Sequence, residues 1–327
     1  MWKRIVAILA SIAVSAVFLW LAVRDIPLAD IWQSLLQANP WWALAALVVG
    51  CLGIYTRGIR WRGLVNFQVT RARAFYIMGI TFILNLLPLR IGEAARAVLA
   101  TREKIPLMTA ATSIIVERLL DVITVLIVLA VCFTQVETLP DAVRQSVLVF
   151  SVLAIIAFVV LIVLARFPDF SKRTLHAIVE RIPLLERLPL ESLLVNVLDG
   201  LRPLVVWGSF VHAVVWTLIS WALSLTMFYL TQLALGYGAD SLLNAALSLT
   251  LASFSVAVPL SVGAIGPFQG AVRLAGEALN VPGSLSTAMG FLVHGLTIAM
   301  YAITGIWGFL ATGVSLADLT QRDEAAG

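Results

Sequence analysis

Two stretches of this chain set helix breakers beside polar or ionisable residues within apolar sequence. The first is Asn85-x-x-Pro88-x-Arg90-x-Gly92-Glu93-x-x-Arg96. Pro88 interrupts a helix, and Gly92 permits a tight restart. A helix that restarts there offers unpaired N–H groups and the positive end of its dipole. With Arg90 and Arg96 alongside, that is the chemistry of an anion site. Glu93 lies one turn from both arginines and can pair with either. The competing reading is arginines whose stems carry the charge out to the membrane interface.

The second stretch is Pro259-x-Ser261-x-Gly263-x-x-Gly266-Pro267-Phe268-Gln269-Gly270. Pro267 suits a first helical turn, where its missing N–H costs nothing. Broken helices at matching places in two halves of a chain point to a transporter site. The alternative is a kinked helix packed closely through glycine. Arg273 and Glu277 follow at one-turn spacing, share a helix face and can simply pair.

Two further groups carry charge without a breaker. Glu117-Arg118-x-x-Asp121 lies inside the apolar run 107–133. Ionisable groups in such a run must pair or face a wet cavity. Glu117 could hold a hairpin in place through Arg90 or Arg96. Arg57-Gly-Ile-Arg60-Trp61-Arg62 reads by default as an orientation signal meeting anionic headgroups. His176, His212 and His294 are isolated in sequence and receive no role. Cys51 and Cys132 sit in apolar runs and form neither a metal motif nor a disulfide framework. No metal or cofactor is expected, and no catalytic residue is assigned.

These groups need elements that hold them in lipid. Hydrophobic residues are 61% and charged residues 12% of the 327, and mean hydropathy is +1.00. A soluble chain carries about a quarter charged residues, so the expected fold is an all-α, polytopic membrane protein. The net charge of +4 follows the positive-inside pattern and does not indicate a nucleic-acid partner.

Residues 5–23 read as a permanent first span with no small-residue cleavage site after them. Residues 25–39 read as a short outer interfacial helix, and 41–55 as the second span, ending in a basic loop over 57–73. Residues 75–100 read as a re-entrant hairpin entering from the cytoplasm. Spans follow at 107–133 and 146–165, then amphipathic cytoplasmic helices over 166–205, then a span at 206–235. Residues 242–279 read as a second re-entrant hairpin, entering from outside, and 286–313 as the last span. The expectation is one transmembrane domain over 1–327 with about six full spans and two opposed hairpins. An eight-span arrangement is the alternative. Both termini are expected in the cytoplasm, with the chain in the inner membrane.

Taken together, RGIRW at 57–61, NLLPLRIGEAAR at 85–96, ERLLD at 117–121 and PLSVGAIGPFQG at 259–270 resemble the lysylphosphatidylglycerol synthase transmembrane-region family, also called flippase-like proteins. The resemblance covers nearly the whole chain, without a soluble synthase domain. It implies movement of a lipid between leaflets, and a possible lipid-modifying enzyme encoded separately. The family commonly has an acidic residue where this chain has Gln269.

The expected function is therefore translocation of a phosphate-bearing or polyprenyl-linked lipid. Asn85, Arg90, Glu93, Arg96, Glu117, Arg118, Asp121, Ser261, Gly263, Gly266 and Gln269 are the candidate substrate-binding residues. Two rivals stay open: a membrane-embedded enzyme using Glu93, Glu117 or Asp121, and a non-transporting partner in a lipid-linked glycan pathway.

Overall fold

A computed structural model describes residues 2–87, 91–136, 141–181, 190–237, 241–257 and 262–315. Pro88, Arg90, Pro259 and Ser261, which the sequence singles out, lie outside the described residues. Among the described residues there are thirteen α-helices, and no strand. They are α1 (Trp2–Val23), α2 (Leu28–Leu36), α3 (Pro40–Leu64), α4 (Arg71–Leu84), α5 (Ile91–Arg102), α6 (Leu107–Phe133) and α7 (Asp141–Arg166). Then come α8 (Pro168–Arg181), α9 (Leu190–Leu201), α10 (Trp207–Ala234), α11 (Ser241–Ala257), α12 (Pro267–Glu277) and α13 (Gly283–Thr312).

Four helical segments, Pro40–Leu64, Gln145–Arg166, Trp207–Ala234 and Gly283–Thr312, are long and apolar enough to cross a membrane, and shorter apolar stretches lie at Ala13–Val23 and Leu242–Val256. The chain is a multi-pass membrane protein. Its outer surface fits lipid: Val152, Leu153, Ile155 and Ile156 on α7, and Leu310 on α13, are all exposed. Helix α6, at 27 residues, is as long as these segments, but its middle carries Glu117, Arg118 and Asp121.

The structure departs from the sequence reading at the second span. Helix α3 does not end near Tyr55. It starts on the N-cap Asn39, whose side chain accepts from the Trp41 N–H at 2.9 Å, and runs unbroken to Leu64. Arg57, Arg60 and Arg62 are therefore helical residues and not a basic loop. No proline stands between Pro40 and Leu64, and the helix runs through Gly50, Gly53, Gly58 and Gly63, since an isolated glycine weakens a helix without ending it.

Two helix pairs are interrupted. In the first, α4 and α5 fold back on one another, and Arg73 Nε at the start of α4 lies 2.9 Å from Glu103 Oε1 just past α5. The outer ends of this hairpin are thus side by side. Gly92 makes the return possible, because a Cβ there would run into the Thr81 carbonyl and the Asn85 side chain. In the second, α11 and α12 pack against each other. Gly266 turns the chain into α12 with φ +95°, a conformation open to glycine. Glycine is needed here for space as well, since a Cβ would press on the backbone of Ser15 and Leu19 in α1.

The two interruptions face one another. A Cβ on Gly263 would sit 3.7 Å from the carbonyl oxygen of Leu86. At another edge, the Asn39 N–H donates to the Ala234 carbonyl at 2.7 Å, which holds the start of α3 against the end of α10.

Candidate functional site

Helices α3, α5 and α6 each bring charge to the same place. Glu117 on α6 is fully buried, as are Arg60 on α3 and Arg96 on α5. Arg96 Nη1 donates to both Glu117 oxygens at 3.1 Å, and Nη2 adds a third bond at 3.2 Å. The Arg96 guanidinium also lies 5.8 Å from the Trp61 ring centroid. Arg60 grips Asp121 with both terminal nitrogens, at 2.5 and 3.2 Å, and reaches Glu117 at 3.4 Å. Thr217 and Trp221 on α10 complete this layer. Thr217 Oγ1 accepts from Arg60 at 3.3 Å, and the Trp221 indole N–H donates to Asp121 at 3.0 Å.

Arg118, partly exposed, spans three carboxylates. Its Nε lies 2.8 Å from Glu93, and its terminal nitrogens lie 3.5 Å from Glu117 and from Asp121. Arg96, one of the two arginines within a turn of Glu93, is not its partner, and Arg90, the other, lies outside the described residues. Among the described residues Glu93 joins Arg118 on α6, and the partner of Arg96 is Glu117. The structural alternative for Glu117, a tie to Arg96, is what the geometry shows. Removing one partner from such a buried pair strands a charge in a medium that solvates it poorly.

Arg57 and Arg60 lie one turn apart on α3, so both face inward. The reading of this segment as an orientation signal fails for them: Arg60 is fully buried, and Arg57 lines a cavity. Arg62 instead donates to the Val69 carbonyl at 2.7 Å and lies over the Phe67 ring. A continuous helix from Pro40 was the clue in the sequence. At 1.5 Å per residue, Arg57 and Arg60 stand short of its C-terminal end at Leu64.

The cavity measures about 500 Å³ and lies between the two interruptions. That volume is in the usual range for a small-molecule site, roughly 300–1,000 Å³. Arg57, Arg60, Glu93, Glu117, Arg118 and Asp121 line it, together with apolar and aromatic residues such as Phe82, Val125, Phe228, Leu249 and Tyr301. Asn85 lines it too, and its Oδ1 is buried without a hydrogen-bond partner among the described residues. Such a group is costly unless something donates to it.

The second interruption contributes neutral groups. Gly263 and His294 line the cavity. Gln269, buried, accepts from the Gly266 N–H at 2.8 Å through Oε1, capping α12. Its Nε2 lies 2.9 Å from Nδ1 of His294 on α13. With Oε1 committed, Nε2 is the donor, which leaves the imidazole proton on Nε2 of His294. His294 had no role in the sequence reading because its partner is 25 residues away. Arg273 pairs with Glu277 at 2.6 Å, as its spacing predicts, and its Nη1 also donates to the Ala22 carbonyl of α1.

Of the candidate residues, Asn85, Glu93, Glu117, Arg118, Asp121 and Gly263 line this one cavity. Arg96 lies behind it through Glu117, while Gly266 and Gln269 support it through His294. Arg90 and Ser261 fall outside the described residues.

No solved structure matches the chain. A curated relative, Glycosyltransferase AglD of Haloferax volcanii, is 24% identical over 98% of this chain and 56% of its own length. The chain thus spans about half of that relative. The family described as Lysylphosphatidylglycerol synthase TM region matches residues 8–305. With that match over nearly its whole length, the chain belongs to the lysylphosphatidylglycerol synthase transmembrane-region family.

Proposed function

We propose that this protein moves an anionic, phosphate-bearing or polyprenyl-linked lipid between membrane leaflets, as a transporter and not an enzyme. One observation carries the reading. Separate polar motifs converge on a single cavity set between two interrupted helix pairs and lined by both charged and apolar side chains. A headgroup would meet the charged groups while its tail stayed in lipid. The membrane family and a relative that is itself a glycosyltransferase are consistent with a place in a lipid-linked pathway. A separate lipid-modifying enzyme would then be a partner.

The corresponding topology is six full spans with two re-entrant hairpins, α4–α5 from the cytoplasm and α11–α12 from outside, as one unit over residues 1–327. Both termini face the cytoplasm of an inner membrane. The Arg73–Glu103 pair supports the first hairpin, because it brings its two ends together. Cysteines placed at 71 and 103 in a Cys51- and Cys132-free background should label from the same side. Labelling from opposite sides would favour eight spans.

Translocation itself is tested in proteoliposomes carrying a headgroup-labelled anionic phospholipid. Added dithionite should bleach only the outer-leaflet half without protein, and nearly all of it with protein. Bleaching that stops at half in both would sink the translocase reading.

A further inference from the structure

Arg57 differs from the other arginines of the cavity. Arg60 is locked to Asp121, and Arg118 faces Glu93, Glu117 and Asp121. Arg57 has no carboxylate within ion-pair distance among the described residues. Its contacts are neutral: Nη1 donates to the Gly53 carbonyl at 3.2 Å, and Nη2 to Ser224 Oγ on α10 at 2.9 Å. Its guanidinium lies 6.0 Å from the Phe82 ring centroid. A guanidinium in an apolar setting is costly unless an opposite charge meets it. Counting Arg96 behind the cavity, four described guanidinium groups face three carboxylates, Glu93, Glu117 and Asp121. The group left over is Arg57, and it lines the cavity.

We propose that Arg57, positioned by Ser224, binds the phosphate of the lipid headgroup, and that the headgroup is a phosphodiester. This rests on the translocase reading and gives it a specific ligand. A phosphodiester carries one negative charge, which matches the single guanidinium in excess among the described residues. The planar fork of arginine suits two phosphate oxygens, and Ser224 Oγ, whose own proton goes to the Ser220 carbonyl at 3.0 Å, accepts from Nη2 and holds the guanidinium in place. Arg60 and Arg118 then serve as the scaffold, since their carboxylates already hold them.

Binding is measured apart from transport, by native mass spectrometry of the full chain released from detergent. The probes are short-chain phosphatidylglycerol, short-chain phosphatidylcholine and inorganic phosphate. Wild type should prefer phosphatidylglycerol to phosphatidylcholine, whose choline cation offsets the charge of the same phosphodiester, and inorganic phosphate should compete poorly. Arg57→Gln should weaken phosphatidylglycerol binding roughly tenfold or more, as expected for a charge-assisted contact, and abolish the preference. Arg62→Gln should bind as wild type does.

Ser224→Asp gives a second route if Arg57→Gln folds poorly. It places a carboxylate beside the intact guanidinium, so it adds an ion pair and should fold. The same loss of phosphatidylglycerol binding is expected. Unchanged binding in folded Arg57→Gln or in Ser224→Asp would overturn the assignment, while leaving the leaflet assay free to support translocation. Competition by inorganic phosphate as strong as by the lipid would overturn the lipid headgroup as the ligand.

Discussion

The two interrupted helix pairs solve the same geometric problem with opposite chemistry. Between α4 and α5 the break is surrounded by ions: Glu93 reaches Arg118, and Arg96 reaches Glu117. Between α11 and α12 the break is held by neutral groups, a Gln269 cap on Gly266 and its contact with His294. Ion pairs in lipid tie a hairpin firmly to its neighbours, because separating them strands charge. Neutral hydrogen bonds are easier to exchange. The comparison identifies the first hairpin as the anchored half of the cavity and the second as the half more readily rearranged.

The largest effect is expected at the centre of the ionic half. Glu117→Ala leaves Arg96 without its carboxylate and strips one partner from Arg60 and Arg118. Breaking a buried pair costs about 3–5 kcal/mol. The folded yield from membranes should collapse, as read by size-exclusion chromatography in mild detergent. A monodisperse, stable Glu117→Ala protein would mean that this half is not anchored by charge.

Next comes Arg57→Gln, which touches no ion pair. The unfolding temperature should stay close to wild type while translocation in proteoliposomes falls roughly tenfold or more, in line with loss of a charge-assisted bond. A drop in stability as large as that of Glu117→Ala would place Arg57 in the scaffold instead.

The neutral half predicts a smaller change. Gln269→Leu leaves the Gly266 N–H and His294 Nδ1 without their partner. An unsatisfied buried group costs about 1–3 kcal/mol, so a lower unfolding temperature with folded protein still recovered is expected. A collapse equal to that of Glu117→Ala would erase the distinction between the halves.

The smallest effect is reserved for Glu277→Gln. Its pairing with Arg273 is an i,i+4 contact with the Glu277 side chain 43% exposed. Such pairs contribute about 0.3–0.5 kcal/mol, and thermal unfolding should scarcely move. A shift of many degrees would show that α12 depends on this pair for its hold on α1.

Much of the frame was legible in the residues themselves. Apolar length and prolines placed α6, α10, α12 and α13 within a few residues of their observed ends, since helix length in lipid follows from run length and breakers. Arg273 and Glu277 were legible because their contact is local. The contact of Glu93 with Arg118 was not legible because Arg118 comes from a different helix. Arg57 and Arg60 were misjudged because a basic cluster near a span end has the same composition in a loop and in a helix. Only the continuity of α3 separates the two.

By itself, then, the sequence determined that this chain lives in a membrane, where most of its long helices run, and which residues are too costly in lipid to be idle. Tertiary structure alone decided which charge meets which. Arg60 finds Asp121 across 61 positions, Arg57 finds Ser224 across 167, and Gln269 finds His294 across 25. The physical reason is that pairing energy depends on distance and burial. Local spacing fixes those quantities within one helix, and only helix packing fixes them between helices.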